Sequence, residues 1–209
     1  MIAILDYGVG NLFSLRSSLS YIGQDAVITG DSETIQNCDK LLLPGVGAFA
    51  DAASMLRAGG LDRVVTGEAG RGKPLLGVCL GMQMLFEKSY EFGEHEGLGL
   101  LSGVVAPISA KIPSDYKIPH IGWNALKFPS GEKSPLFKYI NEGDHVYFVH
   151  SFHAEKCEDS VVATTDYGAD LTAAAASGNV FGTQFHPEKS GAVGLAILRA
   201  FAEMAQGIA

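Results

Sequence analysis

The cysteine at position 79 lies between two glycines at the end of an apolar run. The stretch GVCLG, residues 77–81, has the spacing of a nucleophile elbow, a strained strand-to-helix turn that lifts its central side chain. The unpaired N–H groups at the start of the following helix would favour a thiolate there. The N–H of Leu80 would point at the oxyanion that forms when Cys79 attacks a carbonyl carbon. We therefore predict that Cys79 is a nucleophile and that Leu80 supplies one oxyanion donor.

A base and an orienting carboxylate for this thiol are found in FGTQFHPEK, residues 181–189. The apolar strand ends at His186, and period-two geometry places Glu188 on the same side of the chain. Pro187 fixes its own φ and holds His186 extended, which stiffens the pair. A carboxylate bonded to one imidazole nitrogen leaves the other free to exchange a proton with a thiol. The sequence thus predicts a triad of Cys79, His186 and Glu188.

Each of these residues also has a simpler interpretation. A cysteine beside a tight turn can be a small buried hydrophobe, which is what we expect of Cys38 and Cys157 because neither has an elbow around it. A single histidine is commonly a satisfied core or surface residue. The remaining histidines show no recognisable metal-ligand spacing, so no metal is expected; they are His95, His120, His145, His150 and His153.

Composition limits the classes of protein to which the chain can belong. Its 209 residues, 47% hydrophobic and 18% charged, predict one globular domain spanning 1–209. A net charge of −8 without long runs of one sign argues against nucleic-acid and membrane partners. Three cysteines form a poor disulfide framework and suit a reducing compartment. The start MIAILDYG resembles a first strand rather than a leader, so we expect a cytoplasmic protein.

Short apolar runs alternate with helical patterns through the first half of the chain. Strands are predicted at 2–5, 26–29, 40–43 and 74–79, and helices at 12–22, 49–70 with a break near Gly59, 82–89 and 191–205. This order predicts a doubly wound, mainly parallel sheet with helices on both faces. Residues 97–182 are rich in β-forming residues and turns, so we expect antiparallel strands added to that sheet.

GVCLGMQ together with FHPEK resembles the class I, triad-type glutamine amidotransferases. The further stretches DYGVGN, LLLPGVGAF, HIGWN and YFVHSF resemble the histidine-biosynthetic branch and set it apart from the anthranilate, GMP and carbamoyl phosphate branches. The match keeps its order from the first strand to the last helix. It implies an amidotransferase-like α/β fold and hydrolysis of L-glutamine to glutamate and ammonia, with Cys79 as nucleophile, His186 as base and acid, and Glu188 as its orienter.

The resemblance also assigns residues outside the triad. Val46 in the PGVG turn would be the second oxyanion donor, after a backbone flip, and oxyanion holes generally use two. Glutamine would be held by Gly47, Gln83, Glu91, Ser151 and Phe152. The partner would be a (β/α)₈-barrel cyclase, forming a heterodimer through Asn11, Trp123, Tyr147 and Lys189 and using the ammonia on a phosphorylated ribulosyl aminoimidazole. No cofactor is implied, and DYGVGNLF lacks the third glycine of a dinucleotide site, since residue 13 is phenylalanine.

Three other functions remain open at the level of sequence. The chain could be the glutaminase of another synthase, a cysteine hydrolase or peptidase on the same scaffold, or a non-enzymatic relative that kept the fold. The complete triad argues against the non-enzymatic relative. Gln83 and the PGVG turn argue against the peptidase.

Overall fold

The computed structural model describes residues 1–129, 133–205 and 207. Within these residues the chain forms thirteen strands: β1 Ile2–Leu5, β2 Ala26–Thr29, β3 Lys40–Leu43, β4 Leu75–Val78, β5 Phe86–Ser89, β6 His95–Glu96, β7 Leu101–Pro107, β8 His120–Ala125, β9 His145–His150, β10 Phe152–Glu155, β11 Val161–Asp166, β12 Asp170–Ser177 and β13 Val180–Thr183. The same residues form six α-helices: α1 Leu12–Tyr21, α2 Ser32–Asn37, α3 Phe49–Ala58, α4 Leu61–Gly70, α5 Leu80–Leu85 and α6 Gly191–Ala202. In this part of the chain every helix is too short or too polar to cross a bilayer.

A seven-stranded sheet with the order β11-β12-β13-β4-β3-β1-β2 forms the centre of the fold. Strands β2, β1, β3, β4 and β13 are parallel, and β12 and β11 continue the sheet antiparallel. Strands β1, β4 and β13 are buried along their whole length, which accounts for their continuous apolar runs. The predicted doubly wound sheet with added antiparallel strands is confirmed.

Two separate hydrophobic cores lie on the two faces of this sheet. Alternate residues of one strand divide between them: Leu41 and Leu43 pack on the side of α3 and α4, and Leu42 packs on the side of α1 and α6. This is the period-two alternation of a strand that is covered on both faces. Packed side chains therefore support both faces of the sheet whose strand ends carry the predicted site.

The expectation that the later strands add to the central sheet holds for β11, β12 and β13 but is wrong for the others. Strands β10, β7, β5 and β6 form a second, four-stranded sheet, and β8 and β9 pair as a separate ribbon. Alternation of apolar residues identifies a strand but not its partner. The ribbon pairs His120 with His150 and Trp123 with Tyr147, which brings two of the histidine-containing motifs together.

The helices differ most from the predictions at three places. The helix expected over 82–89 ends at Leu85, because Phe86–Ser89 pairs with β7 and β6 as a strand. The last helix ends at Ala202 rather than 205. Helix α2 was not predicted, although Asp31 caps it by accepting a 2.8 Å hydrogen bond from the N–H of Thr34.

Candidate active site

Cys79 lies on a sharp turn between β4 and α5. Its φ of 55° and ψ of −112° are unusual for a non-glycine residue and follow from its place between a parallel strand and a helix start. Close packing requires the flanking glycines: a Cβ at Gly81 would lie 1.9 Å from the carbonyl oxygen of Leu43, and one at Gly77 would lie 2.7 Å from that of Gly81. The chain thus has the backbone geometry of a nucleophile elbow at the predicted position.

His186 and Glu188 follow strand β13, the parallel neighbour of β4. The imidazole Nδ1 donates a 2.8 Å hydrogen bond to Oε1 of Glu188, and both side chains are almost fully buried. Since Nδ1 carries that proton, Nε2 is the nitrogen left for the thiol. Parallel pairing of Thr183 with Val78 places the end of β13 beside the elbow, so adjacent strands bring the predicted base and the predicted nucleophile to one site.

The charge state of His186 reflects two opposing effects. Burial by itself would lower the pKa of its imidazole, because it penalises the cation. Hydrogen bonds and charge interactions with Cys79 and Glu188 outweigh burial and raise the pKa of His186 to about 9. At neutral pH the imidazole of His186 is therefore protonated, and its cation lies beside the sulfur of Cys79.

A cleft of about 340 Å³ opens above this pair. Its walls bring together nearly all the residues predicted for chemistry and glutamine binding, and one predicted for the partner interface, Lys189. The former are Cys79, His186, Leu80, Val46, Gly47, Gln83, Glu91, Ser151 and Phe152. Pro119, Val149 and His150 also line it and were not predicted. The cleft is large enough for a small amino acid, and its opening at the sulfur gives such a molecule access to the predicted nucleophile.

Glu91 bridges the cleft and helix α3. Its Oε2 accepts a 2.6 Å hydrogen bond from the N–H of Phe49, the first residue of that helix. The carboxylate therefore lies at the positive end of α3 while it lines the cleft. This contact fixes the position of the charge that the family resemblance assigns to the α-ammonium group of glutamine.

Two buried histidines support the wall of the cleft beneath Ser151 and Phe152. His150 Nδ1 donates a 2.8 Å hydrogen bond to the carbonyl oxygen of Phe152, and its Nε2 lies 2.9 Å from Nδ1 of His120. Burial lowers the pKa of His150 to about 3, so its imidazole is neutral. Sequence spacing gave no signal for this pair, because it forms only when β8 pairs with β9.

A tyrosine from the first strand-to-helix turn holds the PGVG turn. The buried hydroxyl of Tyr7 donates a 2.6 Å hydrogen bond to the carbonyl oxygen of Pro44. A Cβ at Gly10 would lie 2.9 Å from Cβ of Pro44, so the DYGVGN and PGVG turns are in direct contact. The turn that bears Val46 is thus fastened to the segment that leads to Asn11.

Three of the four residues predicted for the partner interface lie close together, and the fourth lies at the start of α1. Trp123 is 53% exposed and its ring packs edge-on against Tyr147, with centroids 6.0 Å apart. The ammonium of Lys189 lies 5.8 Å from the centre of the Tyr147 ring and also lines the cleft. Asn11 is half-buried at the start of α1. Trp123, Tyr147 and Lys189 therefore form one continuous surface at the cleft.

The other two cysteines are buried, and burial raises the pKa of each thiol. Both lie in the apolar core on the α3 side of the sheet, Cys38 after α2 and Cys157 after β10. Within 1–129 and 133–205, no three histidine, cysteine, aspartate or glutamate side chains are grouped as a metal site. Cys79 differs from Cys38 and Cys157 because it alone lines the cleft with a histidine.

Comparisons with known proteins agree with this geometry. The family described as "Glutamine amidotransferase class-I" matches residues 3–204. "Imidazole glycerol phosphate synthase subunit HisH" of Caldanaerobacter subterraneus subsp. tengcongensis is 48% identical over 205 residues, covering 98% of both chains. The protein of the same name from Geobacillus kaustophilus is 48% identical over 210 residues, covering 99% of this chain and 98% of the relative. A crystal structure titled as a glutamine amidotransferase superimposes with a TM-score of 0.74 at 20% identity, covering 97% of both chains, which supports the fold.

Proposed function

Because the chain belongs to the class-I glutamine amidotransferase family, we propose that it is the glutaminase subunit of an imidazole glycerol phosphate synthase in histidine biosynthesis. The observation that carries the proposal is the elbow cysteine beside a buried His186–Glu188 pair, at the base of a cleft of amino-acid size. The subunit assignment is favoured over another synthase by the full-length relatives of that name at 48% identity.

The site supports hydrolysis of a carboxamide in two steps. The thiolate of Cys79 attacks the side-chain amide carbon of glutamine, and the oxyanion is held by the N–H of Leu80 and that of Val46. Imidazolium Nε2 of His186 gives its proton to the nitrogen, ammonia leaves, and a glutamyl thioester remains. Water then attacks the thioester while Nε2 takes a proton from it, and glutamate leaves with the thiolate restored. Glu188 holds the ring in one tautomer and stabilises its cation.

Glutamine binding is assigned to the residues that surround the sulfur. Glu91 would pair with the α-ammonium group, since it is the acidic side chain of the cleft wall outside the triad. The backbone at Ser151 and Phe152, with Gly47 opposite, would hold the α-carboxylate and the chain of the substrate. Gln83, one helical turn after the cysteine, reaches the same space.

The proposed partner is a (β/α)₈-barrel cyclase that receives the ammonia. The surface of Trp123, Tyr147 and Lys189 adjoins the cleft, so a partner docked there would cover the site in which ammonia is made. Asn11 extends this proposed interface from the other side of the PGVG turn. The complete chain, 1–209, would act as one glutaminase domain in the heterodimer.

Glutamate release from glutamine tests this function directly. It is measured with the chain alone and with a barrel cyclase loaded with its phosphorylated ribulosyl substrate. Slow release alone and strong release with the loaded cyclase is the expected result. Rapid release that the cyclase leaves unchanged would argue for an independent glutaminase, and no release in either condition would refute the proposed reaction.

A further inference from the structure

We infer that Gln184 is a further catalytic residue, whose side-chain amide donates a hydrogen bond to the sulfur of Cys79 and stabilises its thiolate. Its Nε2 lies 3.8 Å from Sγ of Cys79. The residue belongs to the FGTQFHPEK stretch and lies two positions before His186, in the bend that follows β13. Phe185, between them, points into the core. The inference deepens the proposed function, on which its role in turnover rests.

The direction of the Gln184 amide is set by a fixed chain of hydrogen bonds. The carbonyl oxygen of Phe152 can only accept, so the 3.1 Å contact to it must come from the NH₂ group of Gln83. The same NH₂ group donates its second hydrogen to Oε1 of Gln184 at 3.0 Å. Gln184 therefore has its oxygen on Gln83 and its NH₂ group on the sulfur. The chain orients a donor, not an acceptor, toward Cys79.

Burial makes this donor effective. Gln184 has no solvent-exposed surface, and Gln83 is only 6% exposed, so water does not compete for either amide. A hydrogen bond to an ionised acceptor in such surroundings is stronger than one to a neutral acceptor. The sulfur then has two stabilising neighbours: the imidazolium of His186 and the amide of Gln184.

The arrangement gives Gln184 a defined place in the reaction. In the proposed reaction the sulfur attacks as a thiolate, and its negative charge moves to the substrate oxygen when the carbon–sulfur bond forms. The hydrogen bond from the Gln184 side chain to the sulfur is thus strongest before attack and weakens as the thioester forms. No proton is transferred to or from Gln184. Its role is to keep the sulfur ionised and in place, while His186 carries the proton.

Alkylation of Cys79 by iodoacetamide as a function of pH tests the inference without glutamine. The reaction is followed by mass spectrometry of the peptide that contains Cys79, in wild type and in Gln184→Met, which keeps the length of the side chain but removes the amide. We expect the alkylation profile of Gln184→Met to move to higher pH by about one unit, as loss of one charge-assisted hydrogen bond implies. Gln36→Met, an exposed position on α2, is the matched control and should overlay with wild type.

A second variant guards against loss of the fold. Gln184→Glu keeps the bond to Gln83 and replaces the donor by an acceptor, so its profile should also move to higher pH. Profiles of both folded variants that coincide with wild type would overturn the inference, since a space-filling role would not change ionisation of the sulfur. Glutamate release by the wild-type chain with the loaded cyclase is measured separately, so failure of the proposed function is distinguished from failure of this inference.

Discussion

The backbone N–H of His186 donates a 3.0 Å hydrogen bond to the carbonyl oxygen of Tyr147. The link is closed by Ser190, whose hydroxyl accepts a 3.0 Å bond from the N–H of Tyr147 and donates a 2.6 Å bond to the carbonyl oxygen of His186. Tyr147 belongs to the surface proposed for the partner. One serine therefore ties the strand at that surface to the backbone of the proposed base, so we expect a shift of the strand to move the imidazole.

Ser190→Ala should slow glutamate release markedly while the protein stays folded. The side chain is buried, and its loss leaves the N–H of Tyr147 and one bond to His186 without a partner. We expect unfolding free energy to fall by about 1–3 kcal/mol and kcat to fall roughly tenfold through misplacement of His186. Chemical denaturation of the chain gives the unfolding free energy, and the glutamate assay with the loaded cyclase gives kcat.

Ser17→Ala, an exposed position on α1, is the matched control for this substitution and should change neither value. Wild-type turnover in Ser190→Ala would show that the link between Tyr147 and His186 does not position the base.

Glu188→Gln should lower the pKa of His186 and slow turnover. The carboxylate is one of the groups that raise the pKa of this imidazole to about 9, and an amide of the same shape removes the charge. Burial, which disfavours the imidazolium, then lowers the pKa of His186 with less opposition. NMR titration of the His186 ring should give a value below that of wild type, and kcat should fall roughly a hundredfold or more. An unchanged titration would mean that Glu188 does not act on the ring.

The buried neutral His150 should make the protein sensitive to acid. Its pKa is about 3 in the folded chain and about 6.5 when unfolded, so only the unfolded state binds this proton between those values. Stability contributed by the neutral ring is full above pH 6.5 and is lost as pH falls toward 3. Urea unfolding at pH 7, 6, 5 and 4 gives the unfolding free energy at each pH. Its slope against pH should be smaller in His150→Asn than in wild type by up to about 1.4 kcal/mol per pH unit.

The comparison for this prediction is the difference in slope, because the variant also loses the bond to Phe152 at every pH. His145→Asn, at an exposed end of the same strand, provides the control and should keep the wild-type slope. If the unfolding free energies of wild type and His150→Asn changed with pH by the same slope, burial of a neutral imidazole at this position would be contradicted.

Tyr7→Phe should impair turnover by loosening the PGVG turn. The change removes a single hydroxyl and its bond to Pro44, at a cost of about 1 kcal/mol in unfolding free energy. With that carbonyl free, the N–H of Val46 is less firmly placed, and we expect a drop in kcat with a smaller effect on KM. Tyr21→Phe, 81% exposed, is the control. Equal kcat values for Tyr7→Phe and wild type would show that this hydroxyl does not contribute to oxyanion stabilisation.

Substitution of Gly45 is a less selective probe of the same turn. A Cβ there would lie 2.5 Å from the backbone nitrogen of Gly81, so any larger residue would displace the elbow as well as the turn. The hydroxyl of Tyr7 acts on the PGVG turn from outside and leaves the packing of α5 on β3 unchanged.

The sequence predicted the central sheet well because its strands are continuous apolar runs closed by turns. It failed at Phe86–Ser89, where Phe86, Glu87 and Lys88 suit a helix surface as well as a strand, and pairing with β7 decided the outcome. Local pattern sets what a segment can form, and distant partners select among the possibilities.

The grouping of Cys79, His186 and Glu188 could be predicted because each lies in a motif whose backbone geometry is local. Gln184 lies inside the same FGTQFHPEK stretch, only two residues before His186, so its nearness to the site could be predicted from that motif. The His120–His150 pair and the Ser190 link depend on β8–β9 pairing and on the packing of the segment after β13, so they required the structure.

Glutamate release by Cys79→Ala in complex with the loaded cyclase tests the central claim most directly. The variant removes only the sulfur, and synthesis of the cyclase product from added ammonium chloride shows that the complex has assembled. We predict no glutamate release from glutamine, with ammonium-dependent synthesis intact. Release at the wild-type rate in the assembled complex would contradict the assignment of Cys79 as the nucleophile.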